Sequence, residues 1–187
     1  LERKGKLIAK AAMTLTVVAV FFYKFHSRMD QVESFFNHIR SGNTEAIAQL
    51  LASSPKLLEV KDQRGSTPLL LATYYGHGDM AQLLLEKGAQ VDAKDGSGNT
   101  ALMGVCFKGY VDIAKQLINA GANVNQKNAM GATCLIYAVT FNRPEIAELL
   151  VEHGADITVK DARGNTALDH AKEQGNQPLV NLLQENT

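Results

Sequence analysis

The chain has no tryptophan, only two cysteines among 187 residues, and no formal net charge, with nineteen Lys and Arg against nineteen Asp and Glu. Two cysteines, Cys106 and Cys134, are too few for a disulfide framework, and buried free thiols acting as small apolar groups are expected instead. The zero charge is unevenly made. Residues 1–28 carry six Lys and Arg against one acid, which leaves thirteen against eighteen in residues 29–187. An acidic body is a poor ligand for phosphate backbones, so no nucleic acid is expected as a partner. Active-site signatures are missing too. There is no G-x-S-x-G, no P-loop and no dinucleotide fingerprint. The five histidines, His26, His38, His77, His153 and His170, have no His or Cys neighbour at metal-ligand spacing. Lys94 to Thr100 comes nearest to a calcium loop, but the first ligand position falls on Ala93 and the twelfth, normally glutamate, on Gly104. No catalytic residue, metal or cofactor is therefore expected. Nor does a Pro- or Ser-rich linker divide residues 62–187.

What the chain does have is a phrase repeated every 33 residues. Asp62-x-x-Gly65-x-Thr67-Pro68-Leu69 returns as Asp95-x-x-Gly98-x-Thr100-Ala101-Leu102, as Asn128-x-x-Gly131-x-Thr133-Cys134-Leu135 and as Asp161-x-x-Gly164-x-Thr166-Ala167-Leu168. A second phrase, Gly-Ala-x-Val/Ile, recurs in the same step from Gly88, Gly121 and Gly154. Such a period means stacked units rather than one globular core. Each threonine is placed to cap a first helix, and Pro68 suits the first helical position. Gly76, Gly109 and Gly175 stand where those helices end in a left-handed residue, with Asn142 in that place in the third unit. Apolar residues at helical spacing, such as Met80 and Leu84 or Ile113 and Leu117, mark the second helices. Gln116 breaks that pattern and reads as a helix-edge position. Gly88, Gly121 and Gly154 close the second helices, after which the chain turns back in hairpin-like fingers.

These phrases resemble those of ankyrin repeats. The resemblance implies an all-α fold, an ankyrin-repeat solenoid of stacked helix-turn-helix units with hairpin fingers. The expected layout is an N-terminal segment over residues 1–28 and a repeat domain over 29–187, in units of about 29–61, 62–94, 95–127, 128–160 and 161–187. Residues 30–61 are a degenerate leading unit, since Ala48-Gln49-Leu50-Leu51 echoes Ala81-Gln82-Leu83-Leu84. The family's T-P-L-H histidine is replaced here by Leu70, Met103, Ile136 and Asp169, so apolar packing takes over its role in the first three. Asp169, Glu173 and Gln174 give the last unit a polar outer face, and Phe35, Phe36 and Ile39 cover the first full unit.

The resemblance also implies a function: a non-catalytic adaptor that binds a protein or peptide through its concave face and finger tips, monomeric by itself. Finger-tip positions include Arg64, Ser66, Asn99, Met130, Ala132 and Arg163; first-helix ends place Tyr74, Tyr75, Phe107, Lys108 and Phe141. The partner-binding set expected from these is Arg64, Tyr74, Tyr75, Asn99, Phe107, Lys108, Met130, Phe141 and Arg163. Three successive units set an aromatic ring at the helix end. Either the rings line one groove, as large exposed rings do at interfaces, or each folds inward on its neighbour.

Leu7 to Tyr23 is apolar except for Lys10 and two threonines, with basic residues on both flanks. It is short for a spanning helix, which needs about 20 apolar residues. Three readings stay open: an N-terminal apolar helix acting as an uncleaved membrane anchor, a helix packed on the repeats or a partner, or a segment outside the working protein that starts at Met29. The location is cytoplasmic if residues 1–28 are no anchor and membrane-tethered if they are. The tethered case implies an alternative role, a regulator or immunity-type inhibitor that blocks a toxin or enzyme.

Overall fold

The computed structural model describes residues 29–186, and every regular element among them is helical. Helix α1 is followed over residues 29–41. It is paired with α2 (Thr44–Ser53), and a short 3-10 helix follows at Pro55–Glu59. Four further pairs follow: α3 (Pro68–Tyr74) with α4 (Gly78–Glu86), α5 (Ala101–Lys108) with α6 (Val111–Asn119), α7 (Cys134–Thr140) with α8 (Pro144–Glu152), and α9 (Ala167–Glu173) with α10 (Gln177–Glu185). First helices α3, α5, α7 and α9 touch in succession as one layer, and second helices α2, α4, α6, α8 and α10 form another.

The repeated residues set these boundaries. The hydroxyls of Thr67, Thr100, Thr133 and Thr166 accept the backbone N–H of Leu70, Met103, Ile136 and Asp169 at 3.2–3.4 Å. Each such cap stabilises its helix by about 1 kcal/mol. The first helices end on left-handed residues, Gly76 (φ 81°), Gly109 (φ 90°), Gly175 (φ 65°) and Asn142 (φ 52°). These left-handed residues are also seats for the next unit. A Cβ on Gly42 would lie 2.8 Å from His77, one on Gly76 3.0 Å from Tyr110, and one on Gly109 2.9 Å from Arg143. At the fourth such junction Asn176 Nδ2 donates to Asn142 Oδ1 at 2.8 Å.

The fingers are turns, with no strand among the described residues. Asp62 Oδ1 accepts the N–H groups of Arg64 and Ser66, and Asp95, Asn128 and Asp161 do the same in their fingers. Neighbouring fingers join through one backbone bond each: Gly96 N–H to Arg64 C=O (2.9 Å), Ala129 to Ser97 (3.0 Å) and Ala162 to Met130 (2.8 Å). The ammonium groups of Lys61 and Lys94 reach one unit forward to the carbonyls of Lys94 and Lys127.

Leu70, Met103 and Ile136 are buried where the family has histidine, while Asp169 turns back to cap its own helix through the hydroxyl and N–H of Thr166. Gln116 is more than an edge residue. It is half-buried, and its Nε2 donates to Gln82 Oε1 of the preceding unit at 2.8 Å. Phe35, Phe36 and Ile39 are buried at the leading end of the core. Cys106 and Cys134 are buried with free thiols. Burial, with Cys134 alongside, pushes the Cys106 thiol well up and keeps it an apolar packing group. No helix among the described residues is long and apolar enough to cross a membrane. The expected N-terminal apolar helix, residues 7–23, lies outside the described residues.

Candidate functional site

Between the fingers and the first helices runs an open groove of about 600 Å³. Finger residues Arg64, Asp95 and Asn99 form one side; α3 and α5 supply Leu71, Tyr74, Tyr75, Met103, Gly104 and Phe107 on the other. α7 contributes Tyr137 and Phe141 at the far end, and Arg40 from α1 stands at the near end. Six of the nine expected binding residues meet here: Arg64, Tyr74, Tyr75, Asn99, Phe107 and Phe141. Lys108, Met130 and Arg163 do not line it. Lys108 places its ammonium 4.5 Å from the Tyr74 ring centroid. Met130 and Arg163 stand exposed on the third and fourth fingers.

The ring arrangement combines both alternatives raised by the sequence. Tyr75 meets Tyr74 edge-on (5.7 Å), Tyr74 stacks with Phe107 (6.4 Å), and Phe107 meets Phe141 edge-on (4.5 Å). Tyr137 extends the run, stacked with Phe141 at 5.8 Å. Tyr74 and Phe107 are half-buried, whereas Tyr75 keeps 44% and Phe141 39% of their surface in water. Each ring thus hides part of its area against the next unit and presents the remainder to the groove.

Two finger positions expected in solvent are buried: Ser66 and Ala132. The turn folds this position inward in all four fingers, and the short side chains of Ser66 and Ala132 are covered there, while the longer Asn99 and Asn165 stay half-buried. The last finger residue folds back so that its carbonyl accepts the N–H of the leading residue, Asp62 or Asn128.

Tyr137 and Arg40 were not expected at the site. Arg40 belongs to the degenerate leading unit, where no repeated phrase marks its place. Tyr137 stands four residues after the capping threonine, a position that holds Leu71, Gly104 and His170 in the other units, and this variability was the signal available. Its hydroxyl donates to Asn99 Oδ1 at 3.3 Å and accepts from Asn128 Nδ2 at 3.1 Å. Burial raises the Tyr137 phenol above its ordinary value against the opposing hydrogen bond from Asn128, so it stays protonated at neutral pH. The groove therefore offers aromatic surface, two guanidinium groups, and amide and carboxylate acceptors. That is the chemistry of recognition. No cluster of three or more metal-ligating side chains occurs among the described residues.

A family model described as ankyrin repeats (3 copies) matches residues 20–95, 92–161 and 128–187. No curated protein matches the chain.

Proposed function

The chain belongs to the ankyrin-repeat family, whose repeats are generally non-catalytic protein–protein interaction modules, and from that premise we propose that it is an adaptor binding a protein or peptide in its finger-side groove. The working domain is residues 29–187, with unit boundaries near residues 62, 95, 128 and 161. The observation that carries the reading is the aromatic run at the groove, whose two members Tyr75 and Phe141 remain exposed although their neighbours pack. Exposed rings beside guanidinium groups are typical anchors of interfaces. The anchors lie on helices already fixed by caps and inter-unit bonds, so little conformational freedom is lost on binding. Arg64 and Asn99 flank the rings from the finger side, and Lys108, Met130 and Arg163 extend the contact beyond the groove.

The test replaces only the exposed rings. Tyr75→Ala with Phe141→Ala should abolish capture of proteins that the wild-type chain retains from native lysate, with far-UV circular dichroism unchanged. Equal capture by the folded double variant would overturn the groove as the binding site.

A further inference from the structure

The repeat shows which side chain the groove lacks. In the third unit Tyr137 reaches nine residues back to Asn128, the leading residue of its own finger, at 3.1 Å. In the fourth, His170 Nε2 lies 2.8 Å from Asp161 Oδ2 across the same nine-residue span. Each is a ring with a polar tip, set four residues after the capping threonine. The second unit has the finger acid, Asp95, but Gly104 stands where the ring would start. A Cβ on Gly104 would meet one neighbour within 4 Å, Tyr74 Cδ2 at 3.8 Å. The result is a hollow in the groove wall, with Tyr74 and Met103 beside it, Tyr137 beyond it, and Asp95 and Asn99 facing it from the finger.

We propose that this hollow receives a tyrosine side chain of the partner, the ring taking the place that Tyr137 and His170 fill in the next two units and the hydroxyl donating to Asp95, with an acidic partner residue held beside it by Arg40 and Arg64. The inference rests on the groove reading above and names its ligand chemistry. Asp95 Oδ1 already accepts two backbone N–H groups, whereas among the described residues Oδ2 accepts only Asn99 Nδ2, at 3.3 Å, and has lone-pair capacity left. A phenylalanine would fill the space but cover the remaining lone pairs of Asp95 Oδ2 without giving them a donor. A lysine or arginine could also donate to Asp95, but it would share the groove with Arg40 and Arg64. Those two guanidinium groups form no ion pair among the described residues; Arg40 donates to Asn37 Oδ1 and lies over the Phe36 ring, Arg64 makes no side-chain hydrogen bond there, and both suit an anion such as the carboxylate proposed.

The experiment titrates the full chain with blocked amino-acid probes and follows backbone amide shifts. N-acetyl-tyrosine amide should move the Gly104 and Asp95 signals at about tenfold lower concentration than N-acetyl-phenylalanine amide. Acetyl-Glu-Tyr amide should bind more tightly than acetyl-Lys-Tyr amide. Gly104→Tyr supplies the missing ring from within and should remove the response while the chain melts cooperatively. Gly104→Leu, which copies the residue of the preceding unit, serves if that variant does not fold. Equal response to the phenylalanine probe, or an undiminished response in a folded Gly104 variant, overturns the tyrosine assignment. So does the absence of any response at Gly104. The groove reading is judged separately, by whether captured proteins survive the Tyr75 and Phe141 changes.

Discussion

Gly104 and Gly109 lie five residues apart on α5 and its end, and they answer to different forces. Gly109 has φ 90°, and a Cβ there would press to 2.9 Å of Arg143. Gly104 sits inside the helix without a left-handed backbone and beside open space. Helix-interior glycine is about 1 kcal/mol less favourable than alanine. Gly104→Ala should therefore raise unfolding stability by about 1 kcal/mol in denaturant titration, while Gly109→Ala should lower it by about 1–3 kcal/mol. A loss of stability in the first variant would show that the packing around α5 requires the Cβ to be absent. The role of Gly109 was legible in the sequence because its 33-residue counterparts are Gly76, Asn142 and Gly175. Gly104 was not, since its counterparts Leu71, Tyr137 and His170 share no chemistry, and only the structure shows Tyr137 and His170 reaching their own fingers. Tyr137 was hidden for the same reason: period tells which positions recur, while the reach of a side chain depends on its rotamer and on what stands opposite.

At the scale of the helix and finger, local hydrogen bonds dictate the pattern and are therefore readable from one sequence. Threonine caps and left-handed ends follow from residue type alone. The finger interior is less readable, because the carbonyl bond that folds the last finger residue inward is not announced by its side chain, and only the short Ser66 and Ala132 are then covered. Thr100→Ala removes the cap of α5 and should cost about 1 kcal/mol, read as a lower midpoint in chemical unfolding. The α9 unit carries a pH dependence. Thr166 holds Asp169 below the ordinary carboxylate range through its hydroxyl and N–H. At Asp161 burial pulls upward, but the Asn165 N–H, His170 and the Arg163 N–H outweigh it and the net shift is down. Groups depressed on folding stabilise above their unfolded value, near pH 4, and that contribution disappears as pH falls through the folded value. Amide exchange should accordingly show α9 losing protection before α5 on acidification below about pH 4. Simultaneous loss in both helices would contradict this.

Over the whole molecule, each inner unit is held by its two neighbours. The first and last described units differ. Phe35, Phe36 and Ile39 are buried at one, while at the other Leu179 and Leu183 are buried and Glu173, Gln174 and Glu185 face solvent. The linking contacts recur at nearly one spacing: Lys61 to Lys94, Lys94 to Lys127, Gln82 to Gln116, Asn142 to Asn176. Fold and stacking were legible for this reason, since a repeating linkage leaves a repeating trace in the chain. The seats provided by the left-handed residues carry a further consequence. An insertion that is not a whole number of periods leaves some protruding side chain without its socket, whereas a duplicate of residues 95–127 arrives with both halves of every joint. The scaffold can be lengthened by copying, and each such copy would bring a second Gly104, turning a single recess into two at a fixed stride.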